Sequence, residues 1–164
     1  MKNLICLWRL RKSRPRPNKH LLKCAVSRIV ELSGLNLLAG ELLSINFIGP
    51  RLMRRINREF LNHDYLTDVI CFNYRDEPGF EQDPEDPAVE IFISPDIAAE
   101  RAEDNPEFAY ESELLLYIVH GVLHAAGKRD KTPEEKKDMR NAENEIITRL
   151  YEENLTADRI FGGK

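Results

Sequence analysis

Apolar positions recur along this chain with two different periods, and the switches between them lay out the expected elements. Leu21, Ala25, Ile29 and Leu32 share one helical face, with Asn18 as a cap before them and Gly34 as a stop after them. Residues 42–48 alternate instead, with Leu43, Ile45 and Phe47 on one side, and this predicts a strand. Gly49-Pro50 then opens a second helix, because proline suits a first helical position whose N–H has no partner. Leu52, Ile56 and Phe60 are its expected buried stripe, ringed by Arg51, Arg54, Arg55 and Arg58. Residues 67–74, TDVICFNY, are rich in β-branched and aromatic types and predict a third strand. Residues 89–93 are a fourth, paired with the third across an acidic, proline-bearing surface loop at 76–87. Residues 3–8 read as a first strand, joined to the first helix by a basic, proline-punctuated linker at 13–17.

Helical spacing takes over in the second half. Ser94-Pro95 starts a short helix through Ala102, and Asn105-Pro106 is expected to cap the next. Residues 114–126 are apolar nearly all the way round, the pattern of a central buried helix. Thr132-Pro133-Glu134-Glu135 has capping-box spacing and begins a last helix, with Met139, Ala142, Ile146 and Leu150 as its inner stripe. The tail from Asn154 is expected to be loose. This order predicts an α+β fold, a small mixed sheet of about four strands surrounded by helices. One domain spans residues 1–164, with residues 1–17 as first strand and basic arm and 154–164 as tail.

The central helix carries the candidate chemistry. In LLLYIVHGVLHAAGKRD, His120 and His124 lie at i and i+4, one turn apart on the same face. Gly127 offers an exit from the helix, and Asp130 follows within a short turn. His-x₃-His-x₅-Asp is the material of a three-ligand metal site with an open fourth position. The plainer alternative is a pair of core histidines with ordinary hydrogen bonds. Two imidazoles buried unpaired on an apolar face are costly, which favours the metal. The residue after the first histidine is Gly121, where a metallopeptidase would carry its glutamate base.

Composition narrows the class. A chain of 164 residues with 42% hydrophobic and 32% charged residues fits one globular domain and not a disordered one. No apolar run reaches membrane-spanning length, so no membrane partner is expected. The opening MKNLICLW has its basic run on the wrong side for a secretory signal, and Cys6, Cys24 and Cys71 form no disulfide framework. A cytoplasmic protein is the expectation. The net charge of −4 hides an asymmetry: no acid precedes Glu31, whereas Arg9, Arg11, Lys12, Arg14 and Arg16 make a basic arm. Such an arm suits phosphate contact or serves as a solubilising tail.

HGVLHAAGKRD resembles the H-G-x-L-H-x-x-G-x-x-[HD] signature of the YbeY family, zinc-dependent bacterial endoribonucleases of ribosomal RNA maturation. Residues 57–72, NREFLNHDYLTDVICF, are similar to the family segment ending in T-D-V-L-S-F, and EIFIS at 90–94 resembles its G-D-I-x-I-S strand. The resemblance implies one zinc ion held by His120, His124 and Asp130, with Thr67 and Asp68 lining the cleft. It also implies single-stranded RNA as substrate, in ribosomal RNA maturation and small-subunit quality control. Three positions depart from the pattern: Asp130 where most members have histidine, Leu61 where an arginine is usual, and Val89 where a glycine is usual. With Leu61 present, a cleft cation must come from Arg58, His63 or another nearby residue, and no catalytic side chain is assigned. The missing arginine and the acidic net charge motivate a second expectation, a ribosome-assembly RNA-binding factor with a mainly structural metal. A metallopeptidase is a third, and Gly121 speaks against it.

Overall fold

Ten α-helices and β-strands stand among the described residues of the computed structural model, which describes the backbone of residues 4–8 and then residues 16–79, 83 and 86–162. They are β1 (Leu4–Trp8), α1 (Lys19–Ser33), β2 (Leu42–Phe47), α2 (Pro50–Leu61), β3 (Val69–Asn73), β4 (Pro87–Ile93), α3 (Pro95–Asp104), α4 (Tyr110–Ala125), α5 (Pro133–Glu152) and α6 (Ala157–Phe161). The fold is α+β, as expected. The four strands form one mixed sheet in the order β1-β2-β4-β3, with β1, β2 and β4 parallel and β3 antiparallel to β4. Most of the basic arm, residues 9–15, lies outside the described residues.

Alternation along the strands gives the sheet two different faces. Leu43, Ile45, Phe47, Val89, Ile91 and Ile93 are at most 1% exposed and join the main core with α1, α4, α5 and α6. Each such side chain contributes about 1.5–3 kcal/mol on leaving water. The opposite face carries a smaller core of Ile48, Met53, Ile56 and Ile70 under α2. α4 lies across β3 and β4 and touches α3, α5 and α6 as well, so the histidine helix is central.

Local signals place several boundaries. Asn18 accepts from the backbone N–H groups of His20 and Leu21, and Gly34 ends α1 at φ 74°. Thr132 and Glu135 form the full capping box of α5. Three expectations are corrected. Asn105 ends α3 instead of capping α4, which starts at Tyr110 after a turn in which Asn105 Oδ1 accepts from the Glu107 N–H. Ala142 is half-buried and packs against the core as expected, and Glu143 joins it on the inner face of α5. The tail after Asn154 is not loose: α6 buries Ala157, Ile160 and Phe161, and the Ile160 carbonyl accepts from the Asn18 N–H at 2.7 Å.

Finally, Phe60 is 65% exposed; Met53, Ile56 and Asn57 form the buried face of α2. Its outer face brings Arg51, Arg54, Arg55 and Arg58 together at i,i+3 and i,i+4 spacings. Like-charge pairs at these spacings destabilise a helix by about 0.2–0.5 kcal/mol each. The arginines therefore weaken α2 and are not there to hold it.

Candidate metal centre

The end of α4 builds the site. Gly127 takes φ 92°, a left-handed conformation that only glycine adopts freely. The turn it makes lets the Lys128 N–H reach back to the Leu123 carbonyl at 3.0 Å. It also aims the Lys128 carbonyl at the helix, where it accepts a hydrogen bond from His124 Nδ1 at 3.0 Å. From α5, the carboxylate of Glu143 accepts from His120 Nδ1 at 2.6 Å. A carbonyl and a carboxylate can only accept, so both rings carry a proton on Nδ1, and a neutral ring held this way turns the lone pair of Nε2 inward.

Those two Nε2 atoms lie 2.9 Å apart, and Asp130 Oδ2 lies 3.7 Å from each. With both rings neutral, three acceptors face one another, an arrangement that a metal ion or a proton relieves. A triangle with sides of 2.9, 3.7 and 3.7 Å has a point about 2.0 Å from every corner, the distance zinc takes from nitrogen and carboxylate oxygen. The donor set fits a divalent ion, and a carboxylate as third ligand offsets one of its two charges. With no metal, a proton takes its place. Burial opposes charge on His120, but the hydrogen bond and charge of Glu143, with the charges of Asp130 and Asp68, raise its pKa above the ordinary 6.5.

The cluster opens into a cleft of about 250 Å³. Asp68 lines it; Thr67 stands behind, its hydroxyl donating to Asp68 Oδ1 at 3.2 Å. Arg58, Leu61 and His63 are not in the cleft wall. Its cations are Arg101 from α3 and Lys136 and Arg140 from α5. Arg101 donates to Asp68 Oδ2 and to the buried Glu113, both at 3.2 Å, and its guanidinium lies 5.6 Å from the Tyr117 ring centre. Lys136 and Arg140 have no ion-pair partner among the described residues. Sequence reasoning missed Glu143, Arg101, Lys136 and Arg140. For Glu143 a signal existed: an acid between Met139 and Ile146 on a core-facing stripe. The other three left none, since helix packing alone brings them to the cleft.

A carboxylate behind a ligating imidazole fixes the ring and raises its basicity. Glu143→Gln is therefore expected to bind zinc about 10–100-fold more weakly while remaining folded. A competition titration against a chromophoric chelator measures this, and an unchanged affinity would remove Glu143 from the site.

Fold and cluster together define a class: a small mixed-sheet domain with a histidine–histidine–carboxylate cluster that could hold a cation, in a cleft lined by three basic and three acidic side chains. The chain belongs to the endoribonuclease YbeY family, whose model matches residues 11–151. Endoribonuclease YbeY of Elusimicrobium minutum is 39% identical over 109 residues, which cover 66% of this chain and 73% of that protein. The endoribonuclease YbeY of Chlorobium phaeovibrioides is 38% identical over 128 residues, 77% of this chain and 78% of the relative. The fold is also that of the solution structure of TM1509 from Thermotoga maritima, at a TM-score of 0.53 and 22% identity over 93% of this chain and 94% of that one.

Proposed function

We propose that the protein is a metal-dependent endoribonuclease that cuts single-stranded RNA in the cytoplasm, in ribosomal RNA maturation and quality control of the small ribosomal subunit. The observation that carries this reading is the convergence of His120 Nε2, His124 Nε2 and Asp130 Oδ2 at a cleft that Arg101, Lys136 and Arg140 help to line. Family membership supports the RNA substrate. Among the described residues no helix is long and apolar enough to cross a membrane.

His120, His124 and Asp130 would hold one zinc ion, which supplies Lewis acidity toward a phosphate oxygen and lowers the pKa of water. The side chains of the cleft do the rest. Lys136 and Arg140 attract the phosphodiester and offset the charge that builds on its oxygens. Arg101 presents a guanidinium already fixed by Asp68 and Glu113, so little rotamer freedom is lost when it meets a phosphate. It fills the role left open by Leu61 from a different helix. Glu143 keeps the His120 proton on Nδ1 throughout. A structural metal is normally closed off by four protein ligands; here three ligands face a cleft, which favours the enzyme over a binding factor with a structural ion.

Circular single-stranded RNA tests the reading, because only an internal cut can open it. The zinc-loaded protein is expected to linearise the circle, and His124→Ala is not. Equal linearisation by both would mean that the cleavage comes from elsewhere.

The raised pKa of His120 sets a pH dependence. In the metal-free protein, a folded-state pKa above the unfolded one gives stability that is present below about pH 6.5 and lost as pH rises through the folded value. Metal binding needs the neutral ring and runs the other way, weakening by about tenfold per pH unit below that folded value. The gap in Tm between zinc-loaded and stripped protein should therefore widen from about pH 6 to about pH 8. A gap independent of pH would contradict a histidine ligand with a raised pKa.

A further inference from the structure

A second basic surface lies outside the metal cleft. Arg51, Arg54, Arg55 and Arg58 border a shallow hollow on the outer face of α2. None of the four forms an ion pair among the described residues. At the C-terminal end of the same helix Phe60 is 65% exposed, and Tyr65 in the following loop is 56% exposed. Phe60 meets the core only edgewise, its ring 5.4 Å from that of Phe72 at 68°. Tyr65 stands beside His63, with ring centres 5.2 Å apart. The loop is pinned: Asn57, 1% exposed, donates through Nδ2 to the Tyr65 carbonyl at 2.8 Å. Three residues further on the chain reaches Asp68, the wall of the metal cleft. Cations and exposed rings thus follow one another along residues 51–65, on α2 and the loop after it, over the smaller core.

We infer that this face of α2 and its following loop is a docking track for single-stranded RNA outside the cleft. Phosphates would lie on the arginines and unstacked bases on Phe60 and Tyr65. Single strands offer repeated anions and free π faces together, whereas a duplex keeps its bases stacked inside. An acidic peptide matches the arginines but leaves the two exposed rings without a role. The inference rests on the reading that the cleft takes RNA.

The test uses fluorescence anisotropy of an oligouridine of about 12 nucleotides, with the intact protein over a range of salt. Removing two phosphate contacts with Arg54→Gln/Arg58→Gln should weaken binding about tenfold or more and flatten the plot of log K against log salt by about 1.4. Phe60→Ala/Tyr65→Ala should weaken binding about tenfold without changing the slope, since stacking is not electrostatic. Both double variants alter exposed side chains; Phe60→Ala/Tyr65→Ala should keep a Tm close to the wild type, and Arg54→Gln/Arg58→Gln should match or slightly exceed it, since like-charge repulsion along α2 is relieved. Cleavage of a trinucleotide, too short to span track and cleft, should be unchanged. Wild-type affinity and slope in both variants would overturn the track, as would loss of polyglutamate binding with RNA binding intact. A parallel fall in trinucleotide cleavage would place these residues in the cleft and overturn it too. Weakened RNA binding in the variants of a protein that cuts no RNA would keep the track and defeat the nuclease reading. Cleavage by the wild type with variants that bind normally would do the reverse.

Discussion

His124→Ala is expected to fold normally and to lose zinc. The His124 side chain is 29% exposed at the mouth of the cleft, so truncation opens onto water and leaves no sealed cavity. Where both rings are neutral it also removes one of two lone pairs that face each other at 2.9 Å, which offsets part of the lost packing. Stability of the metal-free protein should change by less than about 1 kcal/mol. Zinc is a different matter. Its binding by four protein ligands is worth about 10–16 kcal/mol, or roughly 3 kcal/mol per ligand, so one lost ligand weakens it by over a hundredfold. Elemental analysis after dialysis against a weak chelator should find zinc in the wild type and none in the variant. His120→Ala would lose zinc as well, but it strands the buried Glu143 carboxylate and so mixes a folding effect with the metal effect.

Gly121→Ala should unfold more easily and bind metal less well. A methyl group added there would lie 2.7 Å from Ile91 Cγ2 and 3.2 Å from Val69 Cγ1. Ile91 is 0% exposed and sits in β4, between β2 and β3, so it has nowhere to retreat. The helix must lift instead, and His120 and His124 move with it. Overpacking of this kind costs about 1–3 kcal/mol, or a fall in Tm of roughly 3–10 °C for a domain of this size. Urea and thermal unfolding measure the loss directly. Unchanged stability would show that α4 does not need glycine to reach the sheet.

Where structure depends on neighbours in sequence, the residues announce it. Asn18, Gly34 and the Thr132–Glu135 box act within one helical turn, and the structure has them in those roles. His120, His124 and Asp130 converge because i,i+4 spacing and the left-handed turn at Gly127 are local geometry. Contacts between distant elements are not announced in this way. Glu143 meets His120 across 23 residues, and Arg101 meets Asp68 across 33. These depend on how α3 and α5 lie against α4, which no periodicity encodes. Phe60 fits an apolar stripe by spacing, yet α2 ends one residue later and the buried face is centred on Met53, Ile56 and Asn57. α6 is five residues long, too short for a period to show, and it is held by burial against the core.

Stripped protein titrated with zinc, with bound metal and opening of circular single-stranded RNA read on the same samples, tests the central claim most directly. Cleavage should rise in proportion to occupancy and stop rising at one ion per chain, with no response in His124→Ala. Cleavage that survives complete removal of metal, or that His124→Ala restores on adding zinc as fully as the wild type does, would contradict it.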